Sequence, residues 1–283
     1  MNILIDNYSN YSSTQSLYLQ HHISQMPEHN CQFRNTNMSI YDTMDSMNPD
    51  VYITSAQLLS KDFILYMKEN TDKDIKLLLN IQTVPNNEVI EVEKVLIDNG
   101  IKDVLFFSSY CDEPPITRKI KVLRLLDAAD QNYIINKDLN YKIDKLIIVS
   151  SPHQIRKYEG TFHVATNNQD IKNDVDFCLP INLIGGLYNR YEEVIFTDMS
   201  NHIPQMFFDA VLAGNKTYYD LPGHDWPKQV REMFNVIFGI GDTLDYKSTN
   251  MLQDFSEIQK QVKTKHTSSI RTQELLGAIN ETF

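Results

Sequence analysis

Ile195-Phe196-Thr197-Asp198-Met199-Ser200-Asn201-His202-Ile203-Pro204-Gln205-Met206-Phe207-Phe208-Asp209-Ala210-Val211-Leu212-Ala213-Gly214-Asn215-Lys216-Thr217-Tyr218-Tyr219 reads as an apolar strand, a polar turn, a short apolar helix and a second strand. Pro204 suits the first turn of that helix, because its missing N–H is one a helix start leaves unpaired anyway, and Gly214 supplies the stop. Strand, turn, helix and strand in so short a space is the unit from which parallel sheets are wound. In such sheets, loops and helix amino termini gather at the carboxyl ends of the strands with unpaired N–H groups. Residues 198–204 therefore fall where ligands sit.

The same alternation extends in both directions. Toward the amino terminus of this half, residues 145–149, 162–165 and 176–179 read as strands, 180–191 as a glycine-containing helix and 194–197 as a strand. Toward the carboxyl terminus, 226–237, 248–263 and 268–280 read as helical. Before the polar connector 131–142, residues 2–5, 50–55, 75–81 and 104–107 read as strands, and the nearly continuous apolar run 75–81 is that expected of a strand buried on both faces. Between and around them, a segment beginning near Leu17, then 39–47, 58–69 and 88–99, carry apolar residues at helical spacing, and 117–130 is read as a closing helix. The expected architecture is α/β, with two Rossmann-like domains, residues 1–140 and 141–283, facing across a cleft, and with helices at the carboxyl terminus.

Composition bounds what this fold does. At 283 residues, with 42% hydrophobic and 22% charged, the chain has the make-up of a soluble globular protein. A formal charge of −11 and a pI near 5.1 argue against a broad basic surface for nucleic acid. Arg118, Lys119, Lys121 and Arg124 form the nearest thing to one, and their spacing reads as a solvated helix face. No run reaches the roughly 18 apolar residues of a membrane span. The amino terminus has neither a basic region nor a long apolar stretch, so the simplest location is the cytoplasm, that of a host cell if the chain is viral. Abundant Asn, Lys, Ile and Tyr fit an AT-rich phage or bacterial genome. Cys31, Cys111 and Cys178 have no metal-site or CxxC spacing and read as ordinary thiols.

Common signatures are missing: GxGxxG after a strand, GxxxxGK[ST], HExxH and GxSxG. Phosphate, if bound, must then be held by helix amino termini and side chains. Asp174 and Asp176 match the DxD spacing of some metal-dependent nucleotide-sugar enzymes, although they precede an apolar strand rather than follow one. His153, His202 and His224 each follow a strand, which places them at the ligand edge.

Two segments add a resemblance. Residues 207–219, Phe207-Phe208-Asp209-Ala210-Val211-Leu212-Ala213-Gly214-Asn215-Lys216-Thr217-Tyr218-Tyr219, resemble the FEAxAxGxPV pattern of GT-B glycosyltransferases of group 1. The tail Lys265-His266-Thr267-Ser268-Ser269-Ile270-Arg271-Thr272-Gln273-Glu274-Leu275-Leu276 is similar to the HTYxxRAxxLL ending of the CgeB-like branch. The resemblance covers roughly residues 145–280 and implies a nucleotide-diphosphate sugar as donor, a UDP-sugar first among them, with no metal strictly required. It places Asp209 where the family's acid accepts hydrogen bonds from the donor ribose, and Asn201, beside Ser200, where the family has a second acid. His202 and the helix start at Pro204 are then set to meet the diphosphate, with His202 in a catalytic role.

Ser150, Ser151, His153, Arg156 and Lys157 follow the first strand of the second half, where the fold often places a basic or hydroxyl residue, and Arg156 fits phosphate oxygens in two places. In the first half, the loop of residues 6–11 faces the acceptor, and Asp6 is the candidate general base, provided burial lifts its pKa. Ser55, Gln57, Gln82 and residues 108–110 line the same edge. Each has a plainer reading beside it: Asp6 as an Asx-turn residue, Asp209 as a helix-surface acid, His202 as a turn residue, Arg156 and Lys157 as solvated helix charges. The acceptor is a hydroxyl of a sugar, a small molecule or a modified DNA base. Phage-type glycosylation of hydroxymethylated bases and a non-catalytic GT-B-like nucleotide- or sugar-binding protein are the alternatives.

Overall fold

The apolar runs pair as two parallel sheets. The computed structural model describes residues 1–8, 14–82, 84–109, 119–130, 143–155, 158–179, 181–197, 205–219 and 255–283. Its contacts divide the chain into two units, one of Met1–Ser9, Gln15–Leu126 and Arg271–Phe283, the other of Asn10–Thr14 and Asp127–Ile270.

The first unit holds strands β1 (Asn2–Ile5), β2 (Asn30–Phe33), β3 (Val51–Ser55), β4 (Lys76–Asn80), β5 (Val104–Ser108) and β6 (Lys121–Arg124). Its helices are α1 (Gln15–Ser24), α2 (Ile40–Met47), α3 (Lys61–Glu69) and α4 (Asn86–Asp98). The strand order is β2-β1-β3-β4-β5-β6, every pair parallel. Because side chains alternate along a strand, one sheet face gathers Ile3, Ile5, Ile53, Leu78, Leu105 and Phe107 with Leu19 and Ile23 of α1. The other gathers Leu4, Tyr52, Leu77, Leu79 and Phe106 with Met44, Phe63, Tyr66 and Leu96. Both faces are covered, which explains why β3 and β5 are apolar almost without interruption. Local signals agree. Ser39 and Ser60 accept the N–H of Asp42 and Phe63 at 3.0 and 3.1 Å and so start α2 and α3. Asn48, at φ 44°, ends α2 by returning its N–H to Met44 O at 2.8 Å.

Two expectations for this unit are corrected. The helix expected over 117–130 is, within its described part, the edge strand β6, where Val122 and Leu123 pair with Phe106 and Phe107 of β5. Lys119, Lys121 and Arg124 therefore do not form a helix face. Charges at the ends of an edge strand guard it against pairing with other chains, and their spacing mimics a helix. β2, a second edge strand, is Asn-Cys-Gln-Phe, too short and polar for an apolar run.

The second unit holds β7 (Ile143–Ile148), β8 (Phe162–Thr166), β9 (Phe177–Cys178), β10 (Tyr191–Phe196) and β11 (Lys216–Tyr219), in the order β11-β10-β7-β8-β9, again all parallel. α5 (Ile181–Ile184) runs into a 3-10 turn, and α6 (Gln205–Leu212) connects β10 to β11. The tail forms α7 (Phe255–Lys265) and α8 (Ser268–Thr282). Leu275, Leu276 and Ile279 of α8 belong to the first unit and form part of its core, beside Ile3 and Leu19. The connector 131–142 and the helix expected over 226–237 lie outside the described residues. No helix among the described residues is long and apolar enough to cross a membrane.

Candidate functional site

Where the strand order of an open parallel sheet reverses, the connections leave toward opposite faces and a crevice opens at the carboxyl ends. In the second sheet this is between β7 and β10. The turn that follows β7 is held by its neighbours. Thr197 donates its N–H and its hydroxyl to Ile148 O at 3.1 and 3.0 Å, Thr166 Oγ1 donates to Val149 O at 2.8 Å, and Asn168 Nδ2 to Ser150 O at 2.9 Å. With these carbonyls engaged, the N–H groups of Ser150 and Ser151 converge on Gln154 Oε1 at 2.7 and 3.0 Å, and Ser150 Oγ joins them at 3.1 Å. Three donors on one carboxamide oxygen form a seat for an oxygen atom, and a phosphoryl oxygen, with more negative charge, suits such a seat better. Ser151 Oγ lies 3.3 Å from Nε2 of His153, which is exposed. Ser150, Ser151 and His153 thus stand in one turn, while Arg156, Lys157, Ser200, Asn201 and His202 lie outside the described residues.

Asp209 is on α6. Its Oδ1 accepts the N–H of Asp130 at 2.7 Å. Burial pushes its carboxyl well above the usual range; the charges of Asp130 and Asp127 add to this, and hydrogen bonds from the Asp130 N–H and Gln205 oppose it. Gln205 Oε1 in turn accepts from the Thr14 N–H and hydroxyl at 2.7 and 3.0 Å. Of the DxD pair, Asp176 binds the N–H of Val164 at 2.7 Å. Among the described residues, no group of three or more His, Cys, Asp or Glu is placed to hold a metal ion. In the tail motif, Arg271 is buried, donating to Leu126 O at 3.1 Å and to both oxygens of Glu274 at 2.9 Å.

In the first sheet the reversal is between β1 and β3. Asp6, 2% exposed, follows β1. One carboxylate oxygen accepts from Arg34 Nε; the other accepts from Tyr52 OH at 2.5 Å and Thr54 Oγ1 at 2.6 Å. The general-base role expected of Asp6 meets a carboxylate already bonded by three donors. Tyr52, buried beside that carboxylate, has its hydroxyl pushed well above the ordinary tyrosine range. Farther along the edge, Gln15 Oε1 accepts from Tyr8 OH at 3.2 Å and Asn80 Nδ2 at 2.8 Å, and Asn80 Oδ1 accepts the Gln82 N–H at 2.9 Å. Gln82 Nε2 and Ser109 Oγ are buried with no partner among the described residues. Left so, each costs about 1–3 kcal/mol.

No protein-family model and no curated protein matches this chain. Among solved structures, sucrose-phosphate synthase from Thermosynechococcus elongatus is similar, at 8% identity and a TM-score of 0.57, with 99% of this chain and 98% of that one covered. The fold is GT-B-like. D-lactate dehydrogenase from Escherichia coli aligns over 99% of this chain and 97% of its own at 9% identity, but its TM-score of 0.26 carries no argument.

Three elements of these edges escaped sequence reasoning. Arg34 ends a strand too polar to be recognised. Gln154 gives a sequence signal only as an acceptor side chain three and four positions after two serines, the spacing by which side chains return to backbone N–H groups. Thr166, Asn168 and Thr197 give none, because their partners come from another strand.

Proposed function

We propose that the protein transfers a sugar from a nucleotide-diphosphate donor, a UDP-sugar first among candidates, to a hydroxyl acceptor. The Ser150–Ser151 seat after β7 carries this reading: it offers two backbone N–H groups and a hydroxyl to one oxygen at the sheet's reversal point. A phosphoryl oxygen of the donor replaces the Gln154 carboxamide there. As the anomeric carbon–oxygen bond breaks, charge grows on the departing nucleoside diphosphate, and donors already aimed at it lower the barrier. Arg156, His202, Ser200 and Asn201 join them in this reading, with Asp209 on the ribose and no metal demanded. Asp6 positions Arg34 and β3 rather than taking the acceptor proton.

A non-catalytic binding protein is the second reading. It is favoured by the two candidate carboxylates, since both oxygens of Asp6 and one of Asp209 are engaged within the fold. Incubation with UDP-, GDP- and CMP-sugars separates the two. Thermal stabilisation by one of them together with release of its nucleoside diphosphate is the expected result. Stabilisation without release supports the binding protein, and neither effect with any donor removes both.

A further inference from the structure

Gln82 and Ser109, the described polar residues just past β4 and β5, are neutral and buried. By the alternation of side chains, Asn80 and Gln82 continue the face of Leu78, and Ser109 continues that of Leu105 and Phe107, the face on which α1 packs. Bonds confirm the side: Asn80 reaches Gln15 at the start of α1, and Tyr8, whose hydroxyl also reaches Gln15, lies edge-on to Phe107. The two ends adjoin, since Ile81 donates its N–H to Phe107 O at 3.0 Å. Gln82 is 3% exposed and Ser109 1%, yet Gln82 Nε2 and Ser109 Oγ have no partner among the described residues.

A buried amide donor and a buried hydroxyl without partners are a standing demand for an oxygen atom. Their surroundings say which kind. Among the described residues on this side, Tyr8, Gln15, Asn80, Gln82 and Ser109 carry amides and hydroxyls and no cation. A phosphate or carboxylate held by these described residues would lose its water without meeting a compensating charge from them, whereas a sugar hydroxyl both gives and accepts hydrogen bonds at no charge penalty. Arg34 is no remedy, since its Nε serves Asp6, whose side chain lies with Tyr52 and Thr54 on the opposite face.

We infer that Gln82 and Ser109 determine acceptor specificity by hydrogen-bonding an uncharged, polyhydroxylated ligand, a neutral saccharide, and that they disfavour phosphorylated sugars and DNA. The inference rests on the glycosyltransferase reading for the word acceptor, but binding itself needs no donor. A site built to hydrogen-bond a hydroxyl discriminates against ligands that cannot satisfy it.

Saturation-transfer NMR on the full chain tests it with maltose, glucose 6-phosphate and a short DNA duplex as probes, and with UDP titrated separately. Maltose is expected to bind, about tenfold more weakly after Gln82→Leu and measurably more weakly after Ser109→Ala, with UDP affinity unchanged. Ser109→Ala removes one hydroxyl from a strand end and serves should Gln82→Leu fail to fold. No binding of maltose by the native chain overturns the inference. So does tighter binding of glucose 6-phosphate or DNA. Unchanged maltose affinity in the folded variants does the same and leaves the two groups to buried water. A chain that binds maltose but neither UDP nor another nucleotide would sink the glycosyltransferase reading and leave the saccharide site standing.

Discussion

The turns that follow β1 and β7 occupy equivalent places, each after the first strand of its sheet and beside the point where the strand order reverses, yet they use polar groups oppositely. After β1 a charge is placed at the edge and consumed by the fold: Asp6 is clamped by Arg34, Tyr52 and Thr54. In the described part of the turn after β7, residues 149–155, no carboxylate or lysine or arginine charge stands. Neutral threonine and asparagine side chains take the carbonyls and leave two N–H groups gathered on an exchangeable amide. A buried carboxylate held by three donors resists rearrangement, because removing them strands its charge away from water. A seat filled by an uncharged side chain yields to a ligand at far lower cost. In the proposed reading, the first turn is scaffolding and the second receives the donor.

The largest expected effect tests the scaffold. Asp6→Ala removes the acceptor of three hydrogen bonds and leaves Arg34 unpaired, so urea unfolding of the first unit should lose about 3–5 kcal/mol. A loss under about 1 kcal/mol, as for an exposed pair, would erase the contrast between the turns. The next tests the seat. In Gln154→Glu a fixed carboxylate claims the N–H pair of Ser150 and Ser151, and UDP affinity by calorimetry should fall about tenfold, or 1.4 kcal/mol. UDP binding as tightly as before would show that the seat does not receive phosphate.

The smallest effect concerns a carboxyl that the fold neither clamps nor offers freely. The folded-state pKa of Asp209 is raised well above 3.8 by burial, so the folded chain holds a proton that the unfolded chain releases. The stability contributed by that proton is full below the unfolded value and is lost as pH rises through the folded one. Asp209→Asn keeps an acceptor for the Asp130 N–H and removes the titration. Its melting temperature should exceed that of the native chain by about 2 °C or more at neutral pH, with the gap closing toward pH 4. A gap that widens toward acid would mean that the carboxylate, rather than the carboxyl, is the form the fold favours.

How much of this was legible depended on how local the cause was. Continuous apolar runs such as Leu77-Leu78-Leu79 marked central strands, since covering both faces of a parallel sheet demands them. Capping by Ser39 and Ser60 acts within three residues and left a direct trace. Edge strands did not: β2 is polar because one side of it pairs with nothing, and the charges bounding β6 fall at helical spacing by coincidence. At the sites, Ser150 and Ser151 stood out by their place after a strand, but their occupant Gln154 did not, because which atom fills a turn depends on how its neighbours have bent it.

The sequence by itself determined the α/β class, the order of most strands and helices, and several of the turns that follow the strands, because periodicity, caps and breakers act over a few residues. Only the tertiary structure decided which polar groups are spent and which are left over. The partners of Asp6 lie 28, 46 and 48 residues away along the chain, α8 returns to the core that β1 begins, and Gln82 and Ser109, at neighbouring strand ends, keep a buried polar atom with no partner among the described residues. Such pairings are set by which strands become neighbours, and strand order follows from burying every apolar face at once rather than from any one segment.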